Sequence, residues 1–192
     1  MKRLFELHGE EYALSVSATT RKPRAGEEEG VHYFFREKAE FEKMIQEDAF
    51  LEYAAYCENY YGTPKAYVEQ KLEEGKNVIL EIEIQGALKV KEKLPDTLLV
   101  FVTPPSAEEL KNRLVGRGTE AIEVIEQRLD RASEEAEGVE QYDYLLINDD
   151  LDTCTEELHQ IIKSEHYRML RQTNMDTISG IREGLKQFRK GE

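Results

Sequence analysis

Arginine and hydroxyl side chains cluster in one short segment, Ser17-Ala18-Thr19-Thr20-Arg21-Lys22-Pro23-Arg24. Arginine presents a planar fork of N–H donors, and serine and threonine each add a hydroxyl, so this segment carries the chemistry that binds a phosphate group. Pro23 and Gly26 also favour an ordinary basic surface turn. The spacing alone leaves the phosphate site and the surface turn equally open.

A second arginine cluster comprises Arg113, Arg117 and Arg128, and a glycine flanks Arg117 on each side. A glycine-flanked arginine has the mobility expected of a lid that closes over a phosphate. The alternative is a surface turn between two helices. On the arginines alone, that alternative is favoured.

Two acidic residues and a pair of tyrosines form further candidate groups. Glu81 and Glu83 alternate in a predicted strand, which directs both carboxylates to one face. On a buried face they would need a cation, a metal ion or a ligand, and the alternative is a face that opens to solvent at the end of the strand. The tyrosines of Asn59-Tyr60-Tyr61-Gly62-Thr63 more often pack at a core edge than bind a ligand.

The histidines and cysteines show no pattern of a metal site, a nucleophile or a disulfide framework. The two cysteines are far apart in the sequence, which favours a reducing, cytoplasmic setting and small core hydrophobes. His159 and His166 are seven residues apart and are predicted to lie on the surface. The residues concerned are His8, His32, His159, His166, Cys57 and Cys154.

The chain has 192 residues, which is typical of one domain. It holds 26 basic and 40 acidic residues, a formal net charge of −14. This balance disfavours nonspecific binding to nucleic acid or to an anionic membrane surface. The longest apolar run is too short to span a bilayer. We therefore expect no nucleic acid and no membrane among the partners.

Strand and helix patterns alternate along the chain and predict an α/β fold, with a parallel sheet covered by helices. Helical spacing of apolar residues indicates helices over residues 38–49, 122–132 and 151–162, and Ser106 with Glu109 forms a capping box that opens another. The two most apolar strands, residues 97–103 and 144–148, are expected to be covered on both faces. Strand-like runs cover residues 12–18, 31–35, 77–84, 97–103 and 144–148.

Several longer motifs follow one another in a fixed order. They are Ser15-Val16-Ser17-Ala18-Thr19-Thr20-Arg21-Lys22-Pro23-Arg24, Gly26-Glu27, Gly30 with Tyr33-Phe34-Phe35, Phe50-Leu51-Glu52-Tyr53-Ala54, Asn59-Tyr60-Tyr61-Gly62, Glu81-Ile82-Glu83-Ile84-Gln85-Gly86-Ala87, Pro104-Pro105-Ser106, Arg113-Leu114, Gly116-Arg117-Gly118-Thr119-Glu120 and Asn148-Asp149-Asp150. In this order they resemble the guanylate kinase family, over about residues 2–166.

The resemblance implies a parallel sheet of the P-loop kinase type, flanked by helices, in a guanylate kinase-like domain of residues 1–166. A small β-rich GMP-binding lobe would occupy residues 12–63, and a helical lid would occupy residues 106–136. Residues 167–192 are charged and weakly periodic, so we expect a C-terminal tail that forms a solvated helix.

The resemblance also implies transfer of the ATP γ-phosphate to GMP or dGMP, giving GDP and ADP, with Mg²⁺ accompanying ATP. Glu52 would read the guanine, with Thr63 and Glu83 assisting, although family members often carry aspartate where Glu83 stands. Glu81 resembles the acidic residue near the magnesium ion. The arginines Arg113, Arg117 and Arg128 would neutralise the transferring phosphoryl group. The phosphate of GMP would be held by Ser17, Arg21, Arg24, Tyr33 and Tyr61.

The sequence departs from the family in one respect. The family opens with a central strand and a loop, G-x-x-x-x-G-K-[ST], whose N–H groups and lysine cradle the ATP phosphates, and the 192 residues do not contain this motif. We therefore expect a missing piece on the order of 15–20 residues before Met1, unpaired strand edges and little kinase activity. The alternatives are a P-loop-less module that binds GMP or a phosphorylated protein partner without catalysis, and a subunit completed by a partner strand.

Overall fold

A computed structural model of the protein describes residues 1–56, 58–116, 122–169 and 171–188. Helices and strands alternate along these residues. Single 3-10 turns cover Gly9–Glu11 and Val139–Gln141. In chain order the elements are α1 (Lys2–His8), β1 (Tyr12–Leu14), β2 (Ala18–Thr19), β3 (Phe34–Phe35), α2 (Lys38–Gln46), β4 (Phe50–Tyr56), β5 (Asn59–Pro64), α3 (Lys65–Glu73), β6 (Asn77–Ile79), α4 (Ile84–Lys93), β7 (Val100–Thr103), α5 (Ala107–Gly116), α6 (Ile122–Ala136), β8 (Tyr144–Ile147), α7 (Leu151–Glu165) and α8 (Gln172–Lys186).

The core contains two pairs of parallel strands. β1 pairs with β6, and β7 pairs with β8, both in parallel. Leu4 of α1 and Leu158 of α7 pack in one cluster with Tyr12 of β1 and Leu146 of β8, so α1 and α7 together cover both pairs. Parallel strands joined through helices confirm the predicted α/β class.

Each pair of core strands leaves edges without a partner strand in the described ranges, because β6 pairs with β1 alone and β7 pairs with β8 alone. Ile79 of β6 and Val100 of β7 nevertheless pack against the same cluster under α1 and α7. The two edges therefore belong to one core.

Two predictions about the core strands are wrong. β6 ends at Ile79, and α4 begins at Ile84, so the predicted strand over residues 77–84 is shorter. β8 is not covered on both faces, because Leu146 is buried against α7 whereas Leu145 on the opposite face is 64% exposed. The apolar composition correctly predicted β8 as a strand, but it contains no information on which of its faces are packed.

The β-rich lobe is a four-stranded sheet in the order β3-β2-β5-β4. Its core is formed by Ala18, Phe41 and Phe50, which are at most 1% exposed. The ring of Phe41 stacks on Phe50 at 4.4 Å and on Tyr60 at 5.3 Å between centroids. The apolar face predicted for α2 is therefore the face that closes this lobe.

The turn between α2 and β4 connects the lobe to α4. Asp48 has a positive φ of 50°, so α2 ends before it. Its carboxylate binds Lys65 at the start of α3, and Lys93 at the end of α4 contacts it at 2.9 Å. The hydrogen bonds from Lys65 and then Lys93 lower the pKa of Asp48 to about 2.

The low pKa of Asp48 predicts how the stability of the fold depends on pH in the acidic range. Its folded-state pKa lies below the ordinary value of about 3.9, so it stabilises the fold above about pH 4, and this contribution is lost as the pH falls towards 2. We expect Asp48→Asn to lower the thermal midpoint above pH 4, with the difference from the parent shrinking towards pH 2. Thermal unfolding followed between pH 2 and 6 measures this difference. Asp96→Asn, on an exposed turn, is the control and should match the parent; a constant difference at all pH values would contradict the assignment.

The capping of α7 gives a second stability prediction. Asp150 Oδ1 accepts the backbone N–H of Thr153 at 2.8 Å, which satisfies one of the free donors of the first turn. Asp150→Ala should lower Tm by roughly 2–4 °C. Asp150→Asn should retain most of the stability because asparagine also caps. Equal Tm values for the alanine variant and the parent would contradict this role.

The tail contains α8, a helix of 15 residues that places Ile181, Leu185 and Phe188 on the exposed surface or just beyond its end. None of the helices in the described ranges is both long and apolar enough to cross a membrane.

Candidate functional site

Arg21 lies just after β2, and its guanidinium is held on three sides. Its two terminal nitrogens donate to the carboxylate of Glu27 at 2.9 and 2.8 Å. The guanidinium lies over the ring of Tyr33, 5.3 Å from its centroid, and it also contacts the side chain of Tyr61. The structure therefore brings together three of the side chains that the sequence assigned to a phosphate site.

A tight turn supports this arrangement. Glu27 accepts the backbone N–H of Arg24 at 2.7 Å and donates its own N–H to the Arg24 carbonyl at 3.1 Å. Gly26 between them has a φ of 86°, a conformation that favours glycine. The hydrogen bonds from Arg21 and from the Arg24 backbone lower the pKa of Glu27 to about 2, and the Glu27 hydrogen bond raises the pKa of Arg21. The Arg24 side chain is exposed on the same turn.

The sheet register explains why these residues meet. Thr19 of β2 pairs with Tyr61 of β5, and the ring of Tyr61 lies 6.1 Å from that of Tyr33 in an edge-to-face arrangement. Ser17 precedes β2, and its carbonyl accepts the N–H of Phe34 at 2.9 Å. Ser17 is thus fixed at the start of the strand that leads to Arg21.

Glu52 is a buried carboxylate on β4, only 9% exposed. Thr63, which pairs with it across the strands, donates its hydroxyl to Glu52 Oε1 at 2.7 Å. Burial raises the pKa of Glu52, the hydrogen bond from Thr63 and the charge of Lys89 oppose that rise, and the charge of Glu83 adds to it. A carboxylate with these surroundings can accept two adjacent N–H donors from a planar ligand.

Two glycines make room for Glu52. A Cβ at Gly86, in the first turn of α4, would lie 3.2 Å from Glu52 Oε2. A Cβ at Gly62 of β5 would lie 2.9 Å from the Glu52 carbonyl and 3.0 Å from Phe50. Each contact is closer than ordinary van der Waals distance, so a side chain at either position would crowd its neighbours, which gives a steric reason for glycine there.

Glu81 and Glu83 lie beyond the end of β6, and both are exposed. The structure therefore agrees with the alternative in which the two carboxylates face solvent, because β6 ends before they could share a buried face. Arg131 of α6 contacts the Glu83 carboxylate and also Glu135, at 3.4 Å. Arg131 was not among the residues predicted from the sequence, although its spacing from Arg128 on α6 was a usable signal.

The predicted lid arginines are in different environments. Arg113 of α5 donates to Glu109 at 2.6 Å and to the Asn148 carbonyl at 2.6 Å, so it is anchored at the carboxyl end of β8. Arg128 is exposed on α6. Arg117 lies outside the described residues. The capping box before α5 is present in part, since Ser106 Oγ accepts the Glu109 N–H at 3.1 Å.

One histidine prediction is wrong, whereas the described cysteine lies in the core as expected. His159 is only 8% exposed, so its predicted surface position is wrong. Its Nδ1 lies 2.7 Å from the hydroxyl of Tyr12, and its ring stacks on that of His8 at 3.7 Å. Cys154 is buried in the cluster under α7, and Cys57 lies outside the described residues.

The fold and this site define a nucleotide-binding protein of the α/β class. A family profile described as "Guanylate kinase" matches residues 1–165. The chain belongs to the guanylate kinase family, whose members are transferases of the kinase type.

Individual relatives agree with this family. The guanylate kinase of Lactococcus lactis subsp. lactis is 55% identical over 158 residues, which cover 82% of this chain and 77% of that protein. The guanylate kinase of Caldanaerobacter subterraneus subsp. tengcongensis is 54% identical over 170 residues, 88% of this chain and 82% of its own length. The crystal structure of guanylate kinase from Anaplasma phagocytophilum superposes with a TM-score of 0.71 at 29% identity and covers 92% of this chain and 87% of its own.

Proposed function

We propose that this protein transfers the γ-phosphate of ATP to GMP or dGMP, giving GDP and ADP, in the purine metabolism of the cytoplasm. The observation that carries the proposal is the buried Glu52 carboxylate, bound to Thr63 at 2.7 Å on the same small lobe as Arg21. One lobe thereby offers an acceptor for a base and a donor fork for a phosphate.

In this proposal the lobe binds both ends of GMP, the guanine base and the phosphate. The Glu52 carboxylate accepts the guanine N1–H and the exocyclic amine together, a donor pair that adenine does not offer. Thr63 orients Glu52, and Glu83 assists from the end of the core sheet. At the other end, the phosphate dianion accepts hydrogen bonds from Arg21 and from its neighbours Tyr33 and Tyr61. Ser17 and Arg24, on either side of Arg21 in the chain, donate to the same phosphate.

Transfer requires the developing charge on the phosphoryl group to be neutralised. We assign that role to Arg113, Arg117 and Arg128. Glu81 fits a magnesium ion that arrives with ATP, because it is an exposed carboxylate at a strand end and Mg²⁺ takes one or two carboxylates beside substrate phosphates. Such an ion would supply neutralisation of the phosphate charge. The hydrogen bond that Arg113 donates to the Asn148 carbonyl at 2.6 Å supports the role given to Arg113.

We further propose that a strand and a phosphate-binding loop outside the 192 residues complete the core sheet between β6 and β7. The proposal is supported by the two strand edges that lack a partner in the described ranges while packing against one cluster. Without a G-x-x-x-x-G-K-[ST] loop, ATP lacks its main phosphate cradle, so the 192-residue chain alone transfers phosphate poorly.

Two measurements on the purified chain test this proposal. Calorimetry with GMP, and with AMP for comparison, tests the nucleotide site, and a coupled assay for ADP with GMP and ATP–Mg²⁺ tests transfer. GMP binding with slow turnover is the expected result. Failure to bind GMP would overturn the nucleotide site, and turnover at ordinary rates would overturn the low-activity proposal.

The codons upstream of Met1 distinguish the proposed kinase from the alternative, a binding module without catalysis. An in-frame strand followed by the loop motif supports the kinase. A stop codon directly upstream supports the alternative, a module that binds GMP or a phosphorylated protein partner without catalysis.

A further inference from the structure

Three potential metal ligands meet at the junction between the start of the chain and α7. They are His8 at the end of α1, Glu11 in the following 3-10 turn and His159 in the middle of α7, and one ligand atom from each lies within 4.8 Å of the others. We propose that these side chains bind a divalent transition metal ion of the Zn²⁺ type. The site is separate from the lobe that carries Arg21 and Glu52.

The donor set suits such an ion. Two imidazole nitrogens and one carboxylate oxygen form one of the combinations that bind Zn²⁺, with a fourth position left for water. Ligand atoms at roughly 2.0–2.2 Å from a tetrahedral ion lie about 3.3–3.6 Å apart. The three atoms therefore approach the required spacing through side-chain movement alone.

The hydrogen bonds behind the two imidazoles orient them for metal binding. Tyr12 binds Nδ1 of His159 at 2.7 Å, and when Nδ1–H donates to the tyrosine oxygen, Nε2 carries the free lone pair. That Nε2 is the nitrogen that faces Glu11 Oε1, at 4.0 Å. On His8, Nε2 lies 3.1 Å from Glu156 Oε1, which leaves Nδ1 as the free nitrogen when Nε2–H donates. A carboxylate behind a metal-binding histidine, as Glu156 lies behind His8, is a recurring arrangement in metal sites.

The stacking of the His8 and His159 rings determines which side-chain movement metal binding requires. The rings of His8 and His159 are parallel within 2°, whereas a shared ion lies in the plane of both rings. One ring must therefore tilt. His8 is the ring with room to do so, because its side chain is 21% exposed and that of His159 is 10% exposed.

The surrounding charges favour a cation. Glu11 and Glu156 contribute two carboxylates, and Lys163 contributes one ammonium group, 4.0 Å from Glu11 Oε2. The Glu11 side chain is 44% exposed and is free to exchange Lys163 for the ion. A bound ion would then join α1 to α7, two helices whose histidines are 151 positions apart in sequence (159 − 8).

Metal titrations of the 192-residue chain test the proposal. Calorimetry with Zn²⁺ should give one site per chain, and Co²⁺ should give the visible absorption of a nitrogen-ligated ion. His8→Ala and Glu11→Gln should each weaken Zn²⁺ binding about tenfold or more, and the isosteric Tyr12→Phe should weaken it through the orientation of His159. Zn²⁺ at a hundredfold excess over Kd should raise Tm by about 5–10 °C in the parent.

The controls are His32→Ala and His166→Ala, whose histidines are exposed and lie outside the three-residue cluster. Both should bind Zn²⁺ as the parent does, and His8→Ala should bind GMP unchanged, which separates this proposal from the proposed function. A parent chain without Zn²⁺ binding, or His8→Ala and Glu11→Gln variants with parental affinity, would overturn the site.

Discussion

Replacement of Arg21 by alanine is expected to weaken GMP binding by at least about 100-fold. Arg21 is the one predicted phosphate ligand whose guanidinium is both neutralised by Glu27 and flanked by Tyr33 and Tyr61. Each hydrogen bond to a charged group contributes about 1.5–3 kcal/mol, and arginine can offer two to a phosphate. Calorimetric Kd values for GMP measure the change.

Glu27 strengthens this expectation. It holds the Arg21 fork at 2.9 and 2.8 Å before any phosphate arrives, so little side-chain ordering remains to be done on binding. In the alanine variant the Glu27 carboxylate would face the phosphate dianion without its guanidinium, and like-charge repulsion would add to the lost hydrogen bonds. Arg21→Lys should fall between the two proteins, because it restores the charge without the fork.

Arg36→Ala provides the matched control. Arg36 also lies on the lobe, pairs with a carboxylate, Glu29, at 2.7 Å, and lies over an aromatic ring, that of Phe34. It is not among the residues assigned to GMP, so its variant should bind GMP as the parent does. If Arg21→Ala and Arg36→Ala have the same Kd as the parent, the phosphate site is elsewhere.

The parts of the site that are continuous in sequence were the most predictable. The hydroxyls and arginines of residues 17–24 share one short segment, so residue type alone indicated a phosphate site there, with a surface turn as the equal alternative. The resemblance supplied Tyr61 as a ligand, but its position beside Arg21 depends on the pairing of Thr19 with Tyr61, a contact set by the sheet register. Spacing in the sequence contains no direct information on that register.

Contacts between distant segments could not be predicted from the residues themselves. Periodicity correctly placed α7, but it gave no reason for His159 to be buried, because its partners Tyr12 and His8 belong to the start of the chain. Arg131 similarly meets Glu83 only because α6 lies against the residue that precedes α4. Family resemblance could supply Glu52 as a ligand, but not the hydrogen bond from Thr63 that orients it.

Replacement of Glu52 by glutamine is expected to weaken GMP binding by about 100-fold while leaving AMP binding unchanged. The guanine N1–H and exocyclic amine are both donors, and the carboxylate presents two acceptors to them. Glutamine puts an NH₂ donor where one acceptor stood, so one hydrogen bond is lost and a donor of the base is left unsatisfied. Burial magnifies that loss, because water cannot replace the missing acceptor at a side chain that is 9% exposed.

Glu69→Gln, on the exposed surface of α3, is the control for the charge change and should bind GMP normally. Thr63→Val tests the orientation of Glu52 separately: Glu52 keeps its charge but loses the hydroxyl at 2.7 Å, so a smaller loss of GMP affinity is expected.

The pH dependence of GMP binding gives a further check. Burial raises the pKa of Glu52, so acidification protonates it and removes the same acceptor that glutamine removes. GMP affinity of the parent should therefore fall towards acidic pH more steeply than that of Glu52→Gln, and parallel pH profiles would show that Glu52 does not read the guanine.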